Sequence, residues 1–264
     1  MGIRLFTLGT AVVSVDGTES AALPGKPVTF GLLVYLAIEG SVTRDKAAAV
    51  FWPESDTERA RANLSQTLYE LKQELGEGWL AKQGNFLLTR DTLWVDANAF
   101  SKLSEEGREE EAVALYQGHF LEGVFLAQTH PFEEWVEHRR GDFRRAHRGV
   151  IESFIESARR RGDLSSALPT SSEWARMDPL CEAAQSHFIR LLGESGNRDE
   201  ALAQFERYAG LLQEELGLEP LEETKELVEG IRSGVLKSIP RETPGISPPE
   251  SAWPPSPGEE PVQF

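Results

Sequence analysis

The pattern of apolar positions along this chain changes period several times, and each change marks an element. Ile3 to Leu8 and Ala11 to Val15 alternate apolar with small or polar residues and are followed by Asp16-Gly17, a dipeptide suited to a tight turn, so the chain should open with short strands. From Pro27 the period lengthens. Phe30, Leu33, Val34 and Ala37 recur at helical spacing up to Gly40, which predicts a first helix with an apolar stripe. Thr43 opens a second, brief one over Arg44 to Phe51, stopped by Trp52-Pro53. The third helix has the strongest start signal. Ser55 and Glu58 stand at capping-box spacing ahead of the stripe Leu64, Leu68, Leu71 and Leu75. After Gly76 to Gly78, the runs Trp79 to Lys82, Phe86 to Thr89 and Thr92 to Val95, with a turn at Gln83-Gly84-Asn85, predict a small sheet with a hairpin.

The rest of the chain reads as helix pairs. Gly107, Gly162 and Gly196 are each followed five residues later by an alanine (Ala112, Ala167, Ala201), and the interval from Gly162 to Gly196 matches the period of about 34 residues of tetratricopeptide (TPR) repeats. Such a pair has an apolar face that only a stacked neighbour can cover. A last helix is expected over Leu221 to Leu236, with Leu227 and Ile231 inward. Pro169 breaks the pattern, because a proline inside a helix removes a hydrogen bond and crowds the preceding turn; the helix should either start late or kink there. Prolines crowd the stretch after residue 238, which predicts a disordered tail or linker. The expected domains are 1–98, 99–237 and the 238–264 tail. The fold class is mainly α: an N-terminal winged helix-turn-helix with small β-sheets, then an all-α TPR-like repeat domain.

Charge refines this picture. The net charge of −16 argues against a simple nucleic-acid coat, since backbone binding sets Lys and Arg against phosphate. The imbalance is uneven, however: residues 1–100 carry nine basic and twelve acidic groups, residues 101–220 fourteen and twenty-three. DNA contact is therefore expected in the first third, and other partners in the acidic middle. The arginines of 139–161 are interleaved with Glu133, Glu134, Glu137, Asp142, Glu152 and Glu156, a pattern expected of a solvated helix face. The N-terminus lacks the basic and apolar regions of a secretion signal and no window of about 18 apolar residues occurs, so a soluble, cytoplasmic protein is expected. A single cysteine, Cys181, excludes an internal disulfide. The five histidines share no ligand spacing, Gly25-Lys26 lacks the rest of a phosphate loop, and no nucleophile elbow occurs. No metal, cofactor or enzymatic activity is expected.

The order strands, three helices, hairpin is that of a winged helix-turn-helix, whose third helix enters the major groove while the hairpin, or wing, touches flanking backbone. The run Phe51-Trp52-Pro53-Glu54-Ser55-Asp56-Thr57-Glu58-Arg59-Ala60-Arg61-Ala62-Asn63-Leu64, closed by Leu71 to Gly76, resembles the recognition region of the bacterial transcriptional activator domain family, relatives of the Streptomyces antibiotic regulatory proteins with an OmpR-type winged helix. Leu216-Gly217-Leu218-Glu219-Pro220 resembles the end of that family's activator domain. The resemblance implies a DNA-binding transcriptional regulator, an activator by family. Its repeats would serve dimerisation on DNA or docking of RNA polymerase or another regulatory protein.

Opposite the leucine stripe, the third helix carries Arg59, Asn63, Gln66, Glu70 and Gln73, with Arg61, Ser65 and Lys72 on one flank. Asn63 and Gln66 suit two-point contacts with adenine, Thr67 is a further candidate reader, and Glu70 would repel phosphate unless it accepts from a cytosine amino group. Arg59, Arg61 and Lys72, with Lys82, Gln83 and Asn85 of the wing, are the candidate backbone contacts. A rival expectation is an interaction adaptor, favoured by the acidity and by Glu70, whose winged helix has lost most DNA affinity.

Overall fold

The computed structural model describes residues 2–20, 23, 25–124 and 129–236; the Pro-rich segment expected to be disordered lies outside them. The chain divides into two compact units, Met1–Ser157 and Ala158–Phe264.

In the first unit, β1 (Ile3–Phe6) and β2 (Val12–Val15) form the opening hairpin, and β2 turns through Asp16-Gly17 into β3 (Thr18–Glu19). Helices α1 (Pro27–Glu39), α2 (Arg44–Phe51) and α3 (Thr57–Leu75) follow, with β4 (Ser41–Thr43) between the first two. Then come β5 (Leu80–Gln83), β6 (Phe86–Thr89) and β7 (Leu93–Val95). The hairpin β5–β6 pairs with β4 in a three-stranded sheet. Strand β7 does not join that sheet, as its closeness in sequence suggested. It lies parallel to β1, giving a four-stranded sheet in the order β3-β2-β1-β7.

Helix α1 departs from the expected single stripe: Thr29 through Ala37 are all buried, including Leu32, Tyr35 and Leu36. An all-round apolar helix has to be covered on every side; α2, α3 and the strands β4, β6 and β7 cover most of it, and the rest of the cover comes from beyond residue 98. Helices α4 (Asp96–Glu105), α5 (Glu109–Leu115) and most of α6 (His130–Arg160) belong to this unit. Trp135 of α6 packs edge-on to Tyr35 at 5.0 Å between ring centres, and Phe132 sits 4.8 Å from Phe51 of α2. At the end of α1, the Glu39 carboxylate accepts from Trp135 Nε1 at 2.8 Å and from Arg139 at 2.6 Å. Burial alone would raise its pKa; these bonds outweigh that and hold it below the ordinary 4.5. Arg140 donates to the carbonyls of Phe120 and Leu121 at 2.9 and 2.8 Å. The first basic residues of α6 thus act as clamps rather than as a solvated face.

A second tie joins β1 to α4. The Asp96 carboxylate, 2% exposed, accepts from the amides of Thr7, Leu8 and Ala97 and from the Thr7 hydroxyl at 2.7–2.9 Å. Beside it the chain passes itself closely: a Cβ on Gly118 would stand 2.9 Å from Gly9 Cα, so only glycine fits there.

The second unit contains α7 (Leu164–Met177), α8 (Glu182–Glu194), α9 (Arg198–Leu216) and α10 (Glu222–Ser233), each packed on the next in sequence, around Ile189, Leu192, Ala201, Leu227, Val228 and Ile231. The three repeat glycines have positive φ (69°, 76° and 80°), and the alanines five residues on are each 0% exposed. The motif thus encodes a left-handed turn and the small residue that lets the next helix approach. Helix α7 does not start late. Asp163 caps it through Ser166 N, and Pro169 lies inside it, where its missing N–H withdraws the bond to the Ser165 carbonyl. Glu182 organises three helices, accepting from Tyr208 of α9 and from Leu221 N and Thr224 at the start of α10.

Candidate functional site

Helix α3 starts one residue later than the capping box suggested: Asp56 is the N-cap, accepting from Arg59 N at 2.9 Å. Its leucine stripe is buried to within 1% exposure against α1 and α2, each side chain stabilising the unit by about 1.5–3 kcal/mol. With that side fixed, the outer face is set by 100° steps. Arg59, Arg61, Ala62, Ser65, Gln66, Tyr69 and Gln73 are exposed, and Asn63, Glu70 and Lys72 are half-buried.

Thr67 falls on the packed side at 8% exposure, its hydroxyl donating back to the Asn63 carbonyl at 3.0 Å. The candidate reader at this position therefore has no outward hydroxyl. Tyr69, 57% exposed and near the middle of the outer face, was missing from the candidates. Its place was available from the sequence, since it lies about 50° from the direction opposite the leucines.

Three elements meet at one flank of this face. The Asp45 carboxylate, in the first turn of α2, accepts from Arg61 of α3 at 2.7 and 2.9 Å and from Asn85 of the hairpin tip at 2.9 Å. These hydrogen bonds, Arg61 first and Asn85 second, lower its pKa. Next to it Arg44 donates to Ser65 Oγ at 2.8 Å, and its backbone N–H bonds the Asn85 carbonyl at 2.8 Å. Two strand residues, Gln83 and Phe86, pair directly across the tip, so Gly84-Asn85 is the whole turn. The hairpin is thereby fastened to the start of α2 at a defined height beside α3. Arg44 and Asp45 escaped the sequence reading because a helix N-terminus gives no sign of which neighbour it will touch.

The remaining candidates are spread out. Arg59, Lys82 and Gln83 are exposed, and the Arg59 and Lys82 side chains form no ion pair with a described residue. Lys72 is turned to Glu77 at 3.2 Å. Glu70 faces inward as much as outward: its Oε2 accepts from Thr29 Oγ1 of α1 at 3.2 Å and its Oε1 from Gln66 Nε2 at 3.3 Å. Among the described residues no group of three His, Cys, Asp or Glu is placed to hold a metal ion, and no helix is long and apolar enough to cross a membrane.

A three-helix module with a hairpin fastened beside its third helix, followed by helix pairs closed by glycine turns, defines a winged-helix protein with a helical repeat region. Residues 95–232 match the model of the bacterial transcriptional activator domain, and the chain belongs to that family. Among curated proteins it is similar to the regulatory protein DnrI of Streptomyces peucetius, 27% identical over 151 residues, or 52% of this chain and 53% of that protein. Among solved structures it is similar to Mycobacterium tuberculosis EmbR, determined in complex with a low-affinity phosphopeptide. The TM-score is 0.60 at 21% identity, covering 88% of this chain and 65% of that one. The chain thus spans about half the length of the first relative and just under two thirds of the second.

Proposed function

We propose that this chain is a DNA-binding transcriptional regulator, acting as an activator, which lays α3 in the major groove and the β5–β6 hairpin on the flanking backbone. The observation that carries this reading is the convergence on Asp45, where α2, α3 and the hairpin tip are locked into one surface with Arg44 and Arg61 at its edge. Docking in a groove needs the helix and the wing held at a fixed separation, and this tie supplies it. Asn63, Gln66 and Tyr69 then face base edges, while Arg44, Arg59, Lys82, Gln83 and Asn85 face phosphates and Arg61 stands beside them, held back by Asp45. Family membership and the likeness to DnrI, a regulatory protein, support the same reading.

Few cations are available on this surface, so one module binds weakly. Tight binding requires two modules on half-sites about one helical turn apart. The helix pairs supply the contacts for that pairing, or for RNA polymerase or another regulatory protein. The test is selection from a random duplex pool with the purified chain, followed by titration against salt. Enrichment of a repeated motif is expected, with affinity falling as salt rises. A chain that enriches nothing and binds no duplex at about 50 mM salt, where backbone contacts are strongest, removes the reading. The adaptor reading, which the acidity of the whole chain favours, then takes its place.

A further inference from the structure

We propose that Glu70 is a positioning residue that fixes the Gln66 amide for reading adenine; this rests on the DNA reading above. The argument starts from α1, whose N-terminus is unusual. It has no side-chain cap and no acidic residue in its first turn, although a helix N-terminus favours negative charge. The charge comes from α3 instead. Glu70 accepts from the hydroxyl of Thr29, in the first turn of α1, and Glu74 lies 3.4 Å from Lys26 at the preceding position. One oxygen of Glu70 is thus committed to a side chain that is itself 5% exposed and belongs to the packed core of the module.

The other oxygen, Oε1, receives an N–H of Gln66 at 3.3 Å, one helical turn back. A carboxylate only accepts, so it must face the nitrogen end of the Gln66 amide, and the amide cannot turn over without setting its carbonyl against a negative oxygen. What remains for a ligand is the Gln66 carbonyl oxygen and its second N–H. An acceptor beside a donor is the complement of the adenine edge, whose N6 donates and N7 accepts; guanine presents two acceptors there. With one hydrogen bond to each oxygen, Glu70 is turned to Thr29 and Gln66 rather than held out toward a base. It transmits the rigidity of α1 to the reading side chain.

Two measurements test this, one of them without DNA. In ¹H–¹⁵N spectra of the free chain, the Gln66 side-chain amide, assigned by its loss in Gln66→Ala, is expected to be ordered. It should become mobile in Glu70→Ala and stay ordered in Glu70→Gln, whose carbonyl can still accept. On duplexes from the selection, with each base placed in turn at the contacted position, the wild type is expected to prefer adenine by roughly 5- to 100-fold. Gln66→Ala should abolish that preference. Glu70→Ala, which frees the rotamer, should reduce it by roughly 2- to 10-fold while leaving non-specific binding equal or tighter. Glu70→Gln should retain it. Full adenine preference in Glu70→Ala, or an amide unaffected by that change, overturns the assignment even though DNA binds. Loss of duplex binding in every form, wild type included, instead overturns the DNA reading, and the adenine assignment falls with it.

Discussion

Asp45→Ala offers a direct measure of whether the Asp45 junction faces phosphate. Asp45 is exposed and holds Arg61 through two contacts and Asn85 through one. In the wild type Arg44, Arg59 and Lys82 are the cations not paired with a carboxylate on this surface, and Arg61 is partly spent on its neighbour. Each phosphate contact contributes about 0.9 to the log–log salt slope, so three contacts give roughly −2.7 and a fourth, once Arg61 is released, roughly −3.6. Over a fourfold rise in salt, from about 50 to about 200 mM, those slopes correspond to losses of roughly 40-fold and roughly 150-fold in affinity. The variant should therefore bind non-specific duplex more tightly at low salt, with that advantage shrinking by about 3.5-fold over this range. Fluorescence anisotropy on a labelled duplex reads both quantities. Asn85→Ala separates the two consequences of the change, because it loosens the hairpin tip without freeing Arg61 and should leave the slope unaltered. Adding Arg61→Ala to Asp45→Ala should restore the wild-type slope. Equal slopes for wild type and Asp45→Ala, with duplex still bound, would mean that Arg61 does not reach phosphate and that the junction serves only to hold the module together.

Other substitutions probe the scaffold. Asp96→Ala strips the partner from three amides and a hydroxyl in a buried position, and at about 1–3 kcal/mol for each of these four orphaned groups it should cost at least about 4 kcal/mol; an unchanged urea midpoint would refute this. Glu39 has a lowered pKa, so its stabilisation is present above the ordinary value of 4.5 and is lost as pH falls through the lower, folded value. Glu39→Gln should accordingly reduce stability at neutral pH and shrink the gap to wild type below about pH 4.5, and parallel pH profiles would contradict that. In the second unit Leu191 is 0% exposed, and Leu191→Ala should cost roughly 2–5 kcal/mol in thermal unfolding; near-neutrality would place it outside the core.

The elements that were legible in the sequence are those with local causes. The leucine stripe of α3, the Thr43 cap of α2 and the Gly–Ala spacing of the repeats each depend on residues within a turn or two, and each appears where the spacing put it. What could not be read depends on distant partners. Strand β7 pairs with β1 across about 90 residues of chain. Helix α1 looked one-sided because nothing near it in sequence announces Trp135, about a hundred residues later. Within the candidate site, 100° steps sufficed to expose Gln66 and would have found Tyr69, whereas Thr67 was assigned outward although its position borders the stripe. The partners of Glu70 and Asp45 lie on other elements, so their charges were legible and their roles were not.

The aromatic and acid–base seam between α1, α2 and α6 bears on how such proteins can be cut and recombined. A fragment ending at residue 98 keeps every strand and helix of the winged module, yet it leaves Tyr35 and Phe51 without Phe132 and Trp135, and Glu39 without its arginine. Such a fragment would present an apolar patch to solvent and should self-associate. A fusion that exchanges winged modules between relatives is better joined near Ser157, where the compact unit closes, so that α1 and α2 travel with the helix that packs on them.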